Sequence, residues 1–390
     1  MGNNLEKIKA RDGFSSKLGF TIACIGSAVG MGNIWLFPYK VGENGGAAFL
    51  VPYFIFVVLL GVSGIVGEIT LGRSMKTGPL GAFKKAMEIR GLKGGGILGM
   101  IPVIGAVAIA VGYTVVMAWI LKFVVGSLSG SMMNAENSGQ YFGEIVGSFG
   151  AVKWHIIVIA VTFCLMVFGI SKGIEKVNKF MMPAFFVLFV ILAVRVYFLP
   201  GAEKGYDFLF NPNWAVLKNP MTWVYALGQA FFSLSLAGSG TVVYGSYVSE
   251  KEDIVSSAKY VAFFDTLAAM VAGLVIIPAV FAFNVDHAAG PPLMFITMPS
   301  IFKMMPLGQL MAIIFFVAVT SLVNLYETPI EALQNRFGLS RAKAVGIILT
   351  IGLIVGLFIE QGDVLSKWMD IVSAYIIPLG ALLAAVMIYW

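Results

Sequence analysis

The sequence predicts an all-α polytopic protein that crosses a lipid bilayer many times. Of its 390 residues, 59% are hydrophobic and only 12% are charged, whereas soluble domains are about one quarter charged. Polar residues this scarce cannot cover a surface against water, so lipid must be the solvent. A helix of about twenty apolar residues spans the hydrocarbon core, and the chain contains about ten such runs.

The apolar runs follow one another without an intervening soluble domain. Gly-rich or polar segments such as GLKGGG separate them. The segment between the seventh and eighth runs is long, Pro-rich and still apolar, so we expect a re-entrant or capping element there. The last run continues to Trp390, which leaves open a further helix after it. The predicted spans are 17–40, 46–71, 96–127, 154–170, 176–199, 220–247, 256–284, 307–335, 341–359 and 365–390.

The basic residues indicate how the chain is oriented. They concentrate before the first span and in the loops after the second, fourth and eighth spans, while the intervening loops are poorer in Lys and Arg. Loops rich in these residues stay on the cytoplasmic side, so we expect a cytoplasmic N-terminus. Because the basic clusters fall on alternate loops, they do not form one surface for nucleic acid, and no such partner is expected.

Two spans have an unusual composition for membrane helices. The first contains CIGSAVGMGN and the sixth contains SLSLAGSGTV near their centres, although Gly costs about 1 kcal/mol relative to Ala inside a helix. One such stretch alone would favour close helix packing through small residues. Two of them, five spans apart, favour a pair of broken helices in an inverted repeat, with a binding site at the midplane.

The breaks predict the chemistry of the site. Unwinding frees backbone carbonyl and amide groups at membrane depth, which is tolerated only where they line a cavity or bind a ligand. Amides at the N-termini of half-helices attract an anionic group, and freed carbonyls suit a cation. We therefore expect a five-plus-five inverted-repeat transporter core with discontinuous first and sixth helices, its repeats covering residues 14–199 and 220–390.

The sequence resembles the neurotransmitter:sodium symporters. GSAVGMGNIW, FPY and ENGGAAFLVPY look like their first two helices, GQAFFSLSL and YGSY like the sixth, and VTSLVNLYE like the eighth. GPPLMFITMPSIF resembles their fourth outer loop. The resemblance runs from Phe14 to about Asp370 in matching order. It implies sodium-coupled import of an amino acid by alternating access, without catalysis, through a bacterial inner (plasma) membrane.

The resemblance also implies two sodium sites built from hard oxygen ligands, which suit a weakly bound alkali ion. The first site would combine the substrate carboxylate with atoms of Ala28, Asn33, Ser233 and Asp265. The second site would combine carbonyls and hydroxyls of Gly26, Val29, Val317, Thr320 and Ser321.

A substrate site is implied beside these ions. The amides of Gly30 and Gly32 and the hydroxyl of Tyr113 would bind the carboxylate of the amino acid. Its ammonium would meet carbonyls of the two broken helices and the Ser235 hydroxyl. Gly238 stands where some relatives carry a bulkier side chain, so we expect a medium-to-large apolar or aromatic amino acid. The complete set is Ala28, Gly30, Gly32, Ile109, Tyr113, Phe232, Ser233, Ser235, Gly238, Ser321 and Leu325.

Each of these residues taken alone favours a structural role. An aromatic such as Phe232 in an apolar span usually packs in the core, and neighbours such as Thr320 and Ser321 usually bond to their own helix. The occurrence of all these residues together in one sequence favours a functional role instead.

One departure from the family concerns anions. Asp265 stands where many relatives have Asn, and Ala269 stands where prokaryotic relatives can carry an acid. A charge in the membrane needs a cation or a proton. We therefore expect Asp265 to supply the negative charge itself, with no chloride requirement. A protonated Asp265 that donates one hydrogen bond is the alternative.

The outer gate also departs from the family. Leu36 replaces the arginine of that gate, whose partner acid would be Asp370. Lys40 lies one helical turn later and could take over the role.

The inner gate matches the family in part. Arg11, Phe14 and Tyr247 correspond to three of its members, but Asn335 stands in place of the acid. An inner latch of hydrogen bonds, or one that uses Glu331, is therefore expected.

Glu68 lies within the second span. It is either an acid near the cytoplasmic interface or a protonated group beside the broken helices. The resemblance favours the second interpretation.

Three other functions compete with transport. A channel needs a continuous polar pore, whereas the polar residues here cluster at one depth. An intramembrane enzyme needs an acid and base pair or a metal cluster near the midplane, whereas His155 and His287 lie far apart. A receptor that binds an amino acid without moving it remains open.

Overall fold

The fold is described from a computed structural model, over residues 17–30, 32–167, 170–236, 239–250, 252–286, 290–318 and 323–389. Every regular element in these ranges is helical, which confirms the predicted all-α class.

The described residues of the first half of the chain form ten helices that are interrupted or joined by short turns. Two π-helical turns, Gly32–Leu36 and Val57–Gly61, continue the backbone between neighbouring helices. The helices are α1 (Lys17–Ala28), α2 (Phe37–Glu43), α3 (Ala47–Phe56), α4 (Val62–Met75), α5 (Pro79–Ile89), α6 (Gly95–Leu98), α7 (Met100–Ser129), α8 (Ser131–Asn134), α9 (Ser138–Gly143) and α10 (Val152–Val167).

The rest of the chain has the same all-helical character. Further π-helical turns lie at Leu293–Thr297 and Val372–Ile376, and a 3-10 turn lies at Trp214–Lys218. The helices are α11 (Ile170–Tyr197), α12 (Ala202–Phe210), α13 (Pro220–Ser233), α14 (Gly240–Tyr247), α15 (Ile254–Ala282), α16 (Met298–Lys303), α17 (Gly308–Ala318), α18 (Val323–Phe337), α19 (Arg341–Ile359), α20 (Gly362–Ile371) and α21 (Ile377–Tyr389).

Five helical segments of the described chain are individually long and apolar enough to cross a membrane. A sixth arises if the bent pair Met182–Tyr197 and Ala202–Phe210, which turns by 108°, counts as one span. The other predicted spans coincide with shorter helices of the described ranges. The five segments are Ala47–Met75, Gly95–Ser129, Ile254–Ala282, Arg341–Ile359 and Gly362–Tyr389.

The helices differ in how deeply they lie inside the protein. In the most apolar stretch of Gly95–Ser129, 78% of residues are buried, against 33% for Ala47–Met75. Helix α7 packs against α10, α17, α18, α19 and α21 and therefore lies inside the bundle. Val58 and Leu59 are each 65% exposed, as expected for side chains that face lipid.

The segment before the eighth span folds back onto the protein. The turn Leu293–Thr297 and helix α16 bury Leu293, Met294 and Phe295. Phe295 stacks on Phe142 with ring centroids 4.9 Å apart. This confirms the expected fold-back element.

Glycines allow α4 and α14 to approach closely. A Cβ added to Gly72 would overlap the Val242 carbonyl oxygen, and one added to Gly245 would overlap the Ile69 carbonyl oxygen. The two helices therefore meet through their backbones, as small residues permit in membranes. This contact ties the second half of the sixth span to the second span.

Candidate functional site

The first span is broken where α1 ends. The Gly30 carbonyl accepts from the amides of Asn33 and Ile34, at 3.1 and 3.3 Å, and the Asn33 side-chain oxygen accepts from the Gly30 amide at 2.9 Å. Asn33 therefore holds the break with its own side chain, because Asn readily replaces a backbone partner in a turn.

The sixth span is broken between α13 and α14. Ser235 and Ser239 have φ of +58° and +55°, a left-handed conformation that L residues rarely adopt. The Leu236 amide bonds to the Phe231 carbonyl at 3.0 Å and closes the end of α13. Together with the first break, this confirms the predicted discontinuous helices.

The two breaks lie against each other. The Gln229 side-chain amide donates to the Gly32 carbonyl at 3.3 Å. The Asn33 amide nitrogen donates to the Ser233 hydroxyl at 3.2 Å and to the Asp265 carboxylate at 2.8 Å. The Ser233 hydroxyl in turn donates to the same carboxylate oxygen at 3.0 Å. Three of the residues predicted for the first sodium site thus share one buried cluster.

Several buried polar atoms beside this cluster have no hydrogen-bond partner in the described part of the chain. They are the second carboxylate oxygen of Asp265 and the hydroxyls of Tyr53 and Thr266. Tyr53 faces Asp265, Ser233 and Thr266. Buried polar groups normally have hydrogen-bond partners. The unpaired oxygens around Asp265 therefore have the chemistry of a site that binds an ion. Tyr53, Gln229 and Thr266 were missed from sequence because none of them belongs to a pattern that marks a site.

Several predicted substrate residues lie close to the same cluster. The rings of Tyr113 and Phe232 lie with centroids 6.0 Å apart. A Cβ on Gly32 would lie 2.7 Å from the Phe232 ring and 3.8 Å from the Tyr113 hydroxyl. Ile109 is fully buried one turn before Tyr113. Gly32 is therefore the residue that lets the first break approach both aromatic side chains.

The structure describes some of the remaining predicted residues. Gly26, Ala28, Val29 and Gly30 are buried at the end of the first helix, and Ser235 and Leu325 are half-buried. Val317 lies near the end of α17. Gly238, Thr320, Ser321, Arg11 and Phe14 lie outside the described residues.

Helix α2, which follows the break in the first span, carries an ion pair to a distant helix. The Lys40 ammonium lies 2.8 Å from the Asp370 carboxylate of α20. Leu36, which stands at the position of the family's arginine, is buried.

Two acids on α18 organise a second polar cluster. The Glu327 carboxylate accepts two hydrogen bonds from Arg341, at 3.0 and 2.8 Å, and one from the Tyr247 hydroxyl at 3.4 Å. The Glu331 carboxylate accepts from the Gly78 amide at 2.7 Å and from the Asn335 side chain. The structure thus brings Asn335 to Glu331, as one of the sequence interpretations required.

The partner of Tyr247 was not anticipated. One described partner is Glu327, and an acid within the predicted eighth span was the available signal.

Glu68 is buried beneath the second break. The Thr241 hydroxyl of α14 donates to one of its carboxylate oxygens. Its other oxygen has no partner among the described residues. The side chain thus lies buried beside α14, the second half of the broken sixth span.

A second buried pair lies away from these sites. His155 Nδ1 is 3.4 Å from the Glu360 carboxylate, and both side chains are fully buried. Burial raises the pKa of Glu360, which follows α19. The pair joins α10 to the end of α19.

Comparison with known sequences identifies relatives of the whole chain. A family described as "Sodium:neurotransmitter symporter family" matches residues 11–144 and 140–390. "Uncharacterized sodium-dependent transporter YhdH" of Bacillus subtilis (strain 168) is 36% identical over 322 residues, covering 80% of this chain and 70% of that protein. "Uncharacterized sodium-dependent transporter MJ1319" of Methanocaldococcus jannaschii is 30% identical over 410 residues, covering 97% and 82%.

A solved structure has the same fold. The crystal structure of MhsT in complex with L-phenylalanine aligns with a TM-score of 0.91 at 35% sequence identity. The alignment covers 97% of this chain and 90% of that one.

Proposed function

Because the chain belongs to the sodium:neurotransmitter symporter family, a family of membrane transporters and not of enzymes, we propose that it imports a hydrophobic amino acid together with sodium. The observation that carries this proposal is the meeting of two broken helices around Asn33, Ser233 and Asp265. Such a meeting offers a zwitterion and an alkali ion one shared site.

The proposed substrate site uses backbone groups at both breaks. The carboxylate of the amino acid binds the amides of Gly30 and Gly32 and the Tyr113 hydroxyl. Proximity of Gly32 to Tyr113 supports this assignment. The ammonium binds the carbonyls of Ala28, Phe232 and Ser233 and the Ser235 hydroxyl.

The substrate side chain occupies an apolar pocket. Ile109, Tyr113, Phe232, Gly238 and Leu325 line it in the proposal, and Ser321 lies beside it. The relative solved with L-phenylalanine supports a hydrophobic and aromatic preference. A pocket that ends at a glycine has room for such a side chain.

Sodium enters as a co-transported ion at two sites. The first uses Ala28, Asn33, Ser233 and Asp265, where a buried carboxylate oxygen without a partner in the described chain supports cation binding. Because this ion touches the substrate carboxylate, it couples the two fluxes directly. The second site uses Gly26, Val29, Val317, Thr320 and Ser321, and it joins the first and eighth spans.

Transport is proposed to need no chloride. The Asp265 carboxylate is buried beside the hydroxyls of Tyr53 and Thr266. A fixed carboxylate at this place supplies the negative charge that an anion would otherwise bring.

Alternating access moves the site between the two sides of a plasma membrane, with the N-terminus in the cytoplasm. Lys40 and Asp370 close the outer side. Arg11, Phe14 and Tyr247 take part in closing the inner side. Glu68 supports the broken sixth span through Thr241. Ligands shift such an equilibrium only through different affinities for its states.

A binding screen tests the substrate class. Purified protein is titrated with each common amino acid in sodium buffer and in potassium buffer. The proposal expects saturable binding of Phe, Tyr, Trp, Leu or Met in sodium, and binding weakened at least about tenfold in potassium. Equal binding in both buffers would contradict sodium coupling, and a preference for Gly or for charged amino acids would contradict the pocket assignment.

A further inference from the structure

Lys40 lies in a small cage of two carboxylates and two tyrosine rings. Its side chain is only 3% exposed, and its ammonium lies 2.8 Å from Asp370 and 2.9 Å from Glu43. The ring centroids of Tyr225 and Tyr39 lie 4.3 and 4.6 Å from the same nitrogen. Both distances fall within the range of cation–π attraction. The ammonium is thus stabilised from four sides.

The four groups belong to different parts of the molecule. Glu43 and Tyr39 lie on α2 together with Lys40, and the Tyr39 hydroxyl donates to the second Glu43 oxygen at 3.5 Å. Tyr225 lies on α13. Asp370 lies on α20, in the other half of the chain. If α2 separates from α20, Glu43 therefore moves with Lys40 and Asp370 does not.

An ammonium withdrawn from water needs a counter-ion, because removing one partner of a buried pair leaves an uncompensated charge. With Asp370 as its sole partner, Lys40 would exchange its only carboxylate for water when the outer side opens. Glu43 keeps a carboxylate on the ammonium, because it lies on the same helix, with its side chain 35% exposed, and is already in contact.

We propose that Glu43 is a positioning residue that retains the Lys40 ammonium while α2 and α20 separate, so that the outer side opens by breaking one ion pair and keeping the other. This inference rests on the proposed alternating access. It assigns different roles to two carboxylates that contact one nitrogen.

The two carboxylates should then have opposite effects on the outer equilibrium. Asp370→Asn removes a contact that exists only in the closed form, so it favours the open form. Glu43→Gln removes the contact that persists in the open form and leaves Lys40 dependent on Asp370, so it favours the closed form. A merely structural role for Glu43, in which its loss loosens the cage, would shift the equilibrium in the same direction as Asp370→Asn.

The test measures distances across the outer side by pulsed electron resonance. Nitroxides are attached at Lys218→Cys, just before α13, and at Lys367→Cys on α20, both exposed positions. Cys24 and Cys164 are replaced by Ala. The full chain is measured in lipid nanodiscs in sodium and in potassium buffer, without amino acid, so no transported substrate needs to be known.

Glu43→Gln should raise the ratio of short to long distances at least about threefold over wild type, and Asp370→Asn should lower it by a similar factor. Glu43→Asp keeps the charge on a shorter side chain and should lie between wild type and Glu43→Gln. Glu43→Asp also replaces Glu43→Gln in the test if the glutamine variant does not fold. Asp363→Asn, a change of an exposed acid on α20, is the matched control and should leave the ratio unchanged.

The outcomes separate this inference from the proposed function. If Asp370→Asn changes the distance ratio, and Glu43→Gln leaves it unchanged or changes it in the same direction, only the role of Glu43 is overturned. A distance distribution that is the same for wild type in both buffers and for both variants overturns alternating access as well.

Discussion

Asn33 and Asp265 are 232 positions apart in sequence, yet the Asn33 side chain donates a 2.8 Å hydrogen bond to the Asp265 carboxylate. The same nitrogen also contacts the Asp265 backbone carbonyl at 3.0 Å. One amide therefore joins the break in the first span to the middle of α15. The sodium and anion chemistry proposed for the protein depends on this contact.

The charge of Asp265 gives the first prediction. Wild-type uptake should be unchanged when chloride is replaced by gluconate, because the carboxylate already supplies the negative charge. Asp265→Asn should lower uptake at least about tenfold in gluconate, with recovery in chloride, because the Tyr53 and Thr266 hydroxyls remain as donors for an anion. Initial uptake rates in the two salts measure both effects. Wild-type uptake that fails in gluconate would refute the prediction.

Gly32 gives a prediction about substrate affinity. A Cβ at this position would lie 2.7 Å from the Phe232 ring, so Gly32→Ala should displace the aromatic side chain that closes the pocket. We expect amino-acid binding weakened about tenfold, or ~1.4 kcal/mol. Gly96→Ala is the control, because a Cβ there meets nothing within 4 Å. Equilibrium binding in sodium is the measurement, and equal affinities for the two variants would remove Gly32 from the site.

Gly72 gives a prediction about stability rather than binding. Its added Cβ would overlap the Val242 backbone carbonyl, which cannot move aside like a flexible side chain. Gly72→Ala should therefore destabilise the protein by about 1–3 kcal/mol through overpacking. Thermal unfolding in detergent, compared with Gly96→Ala, measures the effect. A melting temperature at or above that of wild type would show that α4 and α14 are not in backbone contact.

Glu68 gives a prediction about its protonation. If its carboxyl group is neutral, Glu68→Gln should preserve the acceptor for Thr241 and leave sodium-dependent binding within about twofold of wild type. Glu68→Ala should lose the acceptor and cost about 1–3 kcal/mol of stability. Binding titrations and thermal unfolding compare the two variants. A glutamine variant as defective as the alanine variant would indicate that the charge itself is needed.

Much of the architecture could be predicted because membrane helices carry a local signal. The run of residues 341–359 was predicted with the observed bounds, because only the length and apolar character of one segment decide it. The breaks at Gly30 and Ser235 were also predictable, because Gly and Ser are concentrated in both stretches. The structural partners of single polar residues were harder to predict.

Those partners depend on how the helices pack. Tyr247 meets Glu327, 80 residues away, and His155 meets Glu360 across two helices. Neither pair leaves a periodic pattern in the sequence, because each needs only one polar residue per helix. The spacing of Lys40 to Leu36 identified it as a candidate for the outer gate. Its contact with Glu43 was recognised only from the side-chain positions in the structure.

Sodium-driven uptake of L-phenylalanine into proteoliposomes tests the central claim most directly. With sodium outside and potassium inside, the amino acid should accumulate above its external concentration, and accumulation should disappear when potassium replaces the external sodium. Binding of L-phenylalanine and the other hydrophobic amino acids without any accumulation, or accumulation that is equal in potassium, would contradict sodium-coupled transport by this protein.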